Sequence, residues 1–124
     1  MILVDTSVWV DHLRKGDTTL TELLESDAVL AHPMVIGEIA CGSLCDRALV
    51  LGLLESLPSA TEAQEHEVLG FIEQKHLFGK GIGFIDAHLL ASTALGDASV
   101  LWTRDKRLLA VARDIGLAYQ TSSR

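Results

Sequence analysis

Three large apolar residues in succession, Ile2, Leu3 and Val4, stop abruptly at Asp5. Such a run, without polar alternation, predicts a short strand covered on both faces. Thr6 and Ser7 follow as hydroxyl residues able to open a helix, which the pattern carries through Val8–Lys15 to a stop at Gly16. Asp17-Thr18-Thr19 opens a second helix through Leu20, Leu23 and Leu24. Ala28–Ala31 predicts a second strand. Pro33 stands just inside the next helix, where its missing N–H costs nothing, and Val35, Ile36, Ile39 and Ala40 form that helix's apolar stripe. Asp46–Leu57 predicts a further helix, with Leu49, Leu53, Leu54 and Leu57 at core spacing. Thr61, with Gln64 three residues on, predicts the cap of a helix carrying Val68, Leu69 and Ile72. Gly79-Lys80-Gly81-Ile82-Gly83 is a loop. Phe84–Leu95 is an apolar helix interrupted by Asp86 and His88. Ser99–Thr103 predicts a strand, Asp105 starts a helix through Leu108, Leu109 and Val111, and Leu117–Tyr119 predicts a last strand.

Strands alternating with helices predict an α/β fold with a small, mostly parallel sheet and right-handed crossovers. The chain of 124 residues suits a single domain, 1–124. With 48% hydrophobic residues it can bury a core. No apolar run approaches the roughly 18–20 residues of a membrane span, and the N-terminus has no basic leader, so a cytoplasmic location is expected. Cys41 and Cys45 lie in a helical-looking segment and are expected to be reduced, partly buried thiols. The net charge of −7 argues against tight, unaided binding of a phosphate backbone. It suits a metal enzyme whose cations offset a group of acids.

Four acids stand apart by context. Asp5 and Asp105 follow predicted strands, which places them at one edge of a parallel sheet. Glu38 and Asp86 interrupt apolar helical segments, each beside a small residue. Each has an ordinary explanation: Asp5 and Asp105 as helix caps, Glu38 as an exposed residue, Asp86 as an acid favoured by a helix N-terminus. Taken together they predict a site. Converging carboxylates repel one another unless a cation intervenes. Oxygen-only ligands favour Mg²⁺ or Mn²⁺, and an acidified water there can attack a phosphodiester.

Four blocks carry a resemblance: Ile2-Leu3-Val4-Asp5-Thr6-Ser7-Val8-Trp9, Val35-Ile36-Gly37-Glu38-Ile39, Gly81–Ala91 around Asp86, and Leu101–Leu108 around Asp105. In this order the chain resembles the PIN-domain family, specifically the VapC-type toxins of toxin–antitoxin pairs. The resemblance implies a three-layer α/β/α domain and a Mg²⁺- or Mn²⁺-dependent endoribonuclease. It implies that Asp5, Glu38, Asp86 and Asp105 are the catalytic and metal-binding acids, with Asp5 and Asp86 holding metal most directly. It implies that Thr6, Ser7 and Thr103 hydrogen-bond this set, that RNA is cut to 5′-phosphate and 3′-hydroxyl ends, that the chain forms a homodimer, and that a cognate antitoxin with a basic tail occupies the acidic groove.

Arg104, Lys106 and Arg107 surround Asp105 and are candidates to contact RNA phosphates, or else an ordinary solvated helix start. His88 is expected to pack, and Trp9 and Trp102 to belong to the core or a dimer interface. Two other functions fit the acids. One is a catalytically idle module whose acids receive a basic partner. The other is a phospho-acceptor receiver, which needs a second acid beside Asp5, where this chain has Thr6.

Overall fold

Strand β1, Ile2–Val4, lies at the centre of the sheet and its three side chains are all buried. Successive strand residues face opposite sides, so β1 is covered on both. The computed structural model describes residues 1–120. After β1 come α1 (Thr6–Lys15), α2 (Thr18–Glu25), β2 (Val29–Leu30), α3 (Pro33–Ala40), α4 (Arg47–Ser56), α5 (Glu65–Gln74), α6 (Phe84–Leu95), β3 (Val100–Trp102) and α7 (Lys106–Asp114).

The sheet runs β2-β1-β3, all parallel. Ile2 pairs with Val29 on one side and Val100 on the other, and Val4 pairs with Trp102. With helices on both faces this is a three-layer α/β/α arrangement, as expected. The core gathers Leu3, Val4, Leu20, Leu89, Leu90, Leu101 and Leu108. Helix α6 buries a continuous stretch from Ala87 to Thr93, the behaviour of a central helix rather than a surface one. Trp9 and Trp102 are buried in the same core.

Buried polar groups in α6 are all partnered, as the low-dielectric interior requires. Thr93 donates to the Leu89 carbonyl at 2.7 Å. His32 occupies the N-cap of α3, and its Nδ1 accepts from the Met34 N–H at 3.1 Å. That bond leaves the ring proton on Nε2, which donates to Ser92 Oγ at 3.0 Å. The Ala63 N–H reaches the same oxygen at 3.0 Å. His88 packs edge-on to His32, with ring centroids 5.0 Å apart, so its expected packing role holds.

Four expectations shift. Helix α1 begins at Thr6 rather than Val8. Gln64, not Thr61, caps α5, its N–H bonded to Glu67 Oε1 at 2.8 Å. The extended segment continues to Gln64 because Ala63 enters the core and bonds Ser92, which forbids an earlier helix start. Cys41 and Cys45 are exposed, not partly buried, because α3 ends at Ala40 and the chain turns outward there. Leu117–Tyr119 contributes only an isolated bridge, Ala118 to Leu101, beside β3.

Candidate active site

The pairing of Val4 with Trp102 places Asp5 and Thr103 side by side at the carboxyl edge of the sheet. The Asp5 N–H donates to the Trp102 carbonyl at 2.9 Å, extending the ladder by one bond. Asp5 is 6% exposed and stands at the N-cap of α1, yet its side chain makes no capping bond. Its Oδ2 accepts instead from Thr103 Oγ1 at 2.7 Å and Ser7 Oγ at 2.8 Å. Each hydroxyl has one hydrogen, and both are directed at this carboxylate. Each hydroxyl oxygen also accepts one backbone N–H: Ser7 Oγ from Arg104 at 3.0 Å, Thr103 Oγ1 from Asp105 at 3.1 Å. The carboxylate of Asp5 is thereby held away from its own helix and fixed in orientation.

Glu38 projects from the second turn of α3, and its Oε1 accepts from Thr6 Oγ1 at 2.6 Å. The helix carrying Glu38 is therefore bonded directly to the residue after Asp5. Asp86 lies in the first turn of α6, and its Oδ2 accepts from the Gly83 N–H at 3.3 Å. Asp105 caps α7, accepting from the Leu108 N–H at 3.0 Å. The capping role holds for Asp105 and fails for Asp5, although both follow strands.

Burial pushes the Asp86 carboxyl above its ordinary range, against the Gly83 N–H, and the charges of Asp5, Asp105 and Glu38 push it further. Asp5, Glu38 and Asp105, from three other segments, thus all lie within electrostatic reach of Asp86. They share a neighbourhood without touching. Among the described residues, no three Asp, Glu, His or Cys side chains are packed tightly enough to enclose an ion as they stand. The donor set still fits a hard divalent cation. It is all oxygen, with Asp5 buried, Asp86 half-buried and Glu38 and Asp105 exposed, as the ordinary explanation of Glu38 expected, and Mg²⁺ is commonly held by one or two carboxylates with several waters.

Arg104 departs from the expectation of a charge free to meet phosphate. It pairs with Asp11 at 2.8 Å and with Asp17, and lies over the Trp102 ring, 5.5 Å from its centroid. The Leu20 N–H, and then Arg104, hold the Asp17 carboxyl below its usual range. Nothing in the spacing of Asp11, Asp17 and Arg104 announces this cluster; α1 and β3 bring it together. Lys106 and Arg107 are exposed at the start of α7. His32 is likewise not legible as buried, since it stands between a strand and a proline where loops are common.

A family model described as "PIN domain" matches residues 2–114. The chain is 48% identical over 118 residues to "Ribonuclease VapC32" of Mycobacterium tuberculosis, in each of two strains, covering 95% of both sequences. A solved structure described as "Structure of FitAB bound to IR36 DNA fragment" superposes with a TM-score of 0.59 at 19% identity, over 91% of each chain. At that identity the likeness speaks for the fold.

Proposed function

The chain belongs to the PIN-domain family, as one of its VapC-type ribonuclease toxins, and from that premise we propose how its acids work. Asp5 and Asp86 hold a divalent cation most directly, and Glu38 and Asp105 complete the negative set. Mg²⁺ is the expected ion, with Mn²⁺ able to replace it. Such an ion supplies an acidified water and positive charge toward the phosphate oxygens.

The chain's own groups do the rest. Ser7 and Thr103 fix the Asp5 carboxylate by donating to one of its oxygens. Thr6 ties Glu38 to the same sheet edge. Gly83 orients Asp86 through its backbone N–H. Bonds of this kind set the direction of a ligand's lone pairs and raise its affinity for a metal. The reaction is hydrolysis: water adds to phosphorus in line, the bond to the 3′ oxygen breaks, and that oxygen takes a proton. The products carry 5′-phosphate and 3′-hydroxyl ends. Ribose takes no covalent part, so preference for RNA rests on shape and 2′-hydroxyl contacts.

A cognate antitoxin is the implied partner, its basic tail reaching the acids. Two apolar hollows support such docking. One of about 300 Å³ is lined by Trp9, Leu13, Leu24 and Leu53. The other, of about 460 Å³, runs past Leu13, Cys45 and Val50 to Glu38. Exposed Leu69, Phe78 and Phe84 support self-association into a homodimer. Among the described residues, no helix is long and apolar enough to cross a membrane.

The observation that carries this reading is the bonding at the sheet edge: Thr6 ties Glu38 to the residue after Asp5, and Thr103 bonds both the Asp5 carboxylate and the Asp105 N–H, with Asp86 in reach of all three charges. Asp5→Asn keeps the hydrogen-bonding shape and removes the charge. It should abolish RNA cleavage and growth arrest while leaving the circular dichroism spectrum unchanged. Full toxicity of the folded variant would sink the proposal.

A further inference from the structure

Two arginines flank Asp105, and the fold treats them differently. Arg104 is held by Asp11 and Asp17 against Trp102, so its charge is already neutralised. Arg107 has no ion pair among the described residues, where the only salt bridges are those of Arg104. Its side chain is nonetheless placed. It lies flat against Gly81, so closely that a Cβ at position 81 would sit 2.8 Å from Arg107 Cδ, 3.2 Å from Nη1 and 3.3 Å from Nε. Gly81 has φ +81°, which a side chain would strain, and two residues later the Gly83 N–H bonds Asp86. Arg107 therefore spans the loop that opens α6, with Asp86 in its first turn, and the start of α7, with Asp105 at its cap.

A phosphate chain approaching four carboxylates meets repulsion, and the chain's net charge of −7 adds to it. A bound cation offsets this at the phosphate being cut, but not at its neighbours. We propose that Arg107, braced on Gly81, binds the RNA phosphodiester adjacent to the one being hydrolysed. This rests on the nuclease reading above and adds to it a specific anchor for the substrate backbone. The bare glycine is part of the device: it lets the guanidinium lie against the main chain, which limits its motion and leaves its N–H fork available to a phosphate. Lys106, one residue earlier, carries the same charge without such a brace.

The test uses a fluorescently labelled single-stranded RNA of mixed sequence, with Ca²⁺ in place of Mg²⁺, read by anisotropy over a series of KCl concentrations. Arg107→Gln should weaken binding about ten-fold and lower the slope of log K against log salt by about 0.7, the value for one phosphate on a single strand. Arg107→Lys should keep the slope and lose part of the affinity. Gly81→Ala, whose methyl displaces Arg107, should lose affinity in the wild-type background and lose no more when combined with Arg107→Gln; a further loss in the double variant would overturn the brace. Wild-type affinity and slope in Arg107→Gln would overturn the proposal. So would an equal loss in Lys106→Gln, which would mean diffuse charge rather than a placed contact. If the wild-type protein binds no RNA under these conditions, this inference fails, while the nuclease reading is judged separately by cleavage and growth arrest in Asp5→Asn.

Discussion

His32 offers a sharp test of how the interior of this protein is wired. Its ring is fully buried, and its Nδ1 accepts the Met34 N–H that opens α3. Burial, and secondarily His88, lower its pKa from 6.5 to about 4. A proton on Nδ1 would face the Met34 N–H with another N–H and place a charge in the core. The unfolded chain has no such objection and takes the proton near the ordinary value. Between the two pKa values the unfolded state therefore binds more protons, and stability falls as pH falls. The contribution is fully present above the unfolded value and exhausted below the folded one. Integrated between 6.5 and about 4, the loss is about 2 kcal/mol at pH 5 and about 3 kcal/mol at pH 4.

The comparison to make is His32→Asn. Asparagine is among the best N-cap residues and can still accept from the Met34 N–H, but it does not titrate. At neutral pH the variant should be less stable by the lost bond to Ser92 and the space left by the ring, about 1–3 kcal/mol. Urea unfolding at steps between pH 7 and pH 4 should then show the gap closing as the wild type loses the His32 contribution, which the variant lacks. Carboxylates titrate equally in both proteins and cancel in the difference. Parallel profiles across this window would refute the argument, because they would mean that His32 is not held neutral by its burial and cap.

Thr103→Val keeps the shape of the side chain while removing the donor to Asp5 and the acceptor for the Asp105 N–H. Mn²⁺ affinity by calorimetry should fall roughly 10–100-fold with the fold intact, and an unchanged affinity would show that this hydroxyl does not orient a ligand. Asp86→Asn removes a half-buried carboxylate that three other acids repel. Without divalent metal its thermal midpoint should rise above that of the wild type, while added Mn²⁺ should stabilise the wild type and not the variant. A lower midpoint for Asp86→Asn in the absence of metal would contradict the shared neighbourhood of the four acids.

The sequence by itself determined that Ile2–Val4 is a buried strand ending at an acid, because three apolar residues without polar alternation have one stable place in an α/β fold. It also marked Glu38 and Asp86 as acids in apolar helical segments, but the cost of burying a carboxylate applies only to Asp86, since Glu38 is exposed. Local sequence could not say which strand-end acid caps its helix. Asp105 does and Asp5 does not, because Thr103, just past the end of β3 and 98 residues away in sequence, donates to the Asp5 carboxylate together with Ser7. The fate of Arg104 was equally hidden, for its acids lie 93 and 87 residues upstream. Thr61 failed as a cap for a similar reason: Ser92, a distant residue, claims the backbone of Ala63. Apolar runs and turn residues act through neighbours along the chain and can be read there. The partner of a hydroxyl, an arginine or a buried imidazole is chosen by which segments the packed sheet brings together, and only the tertiary structure decides that.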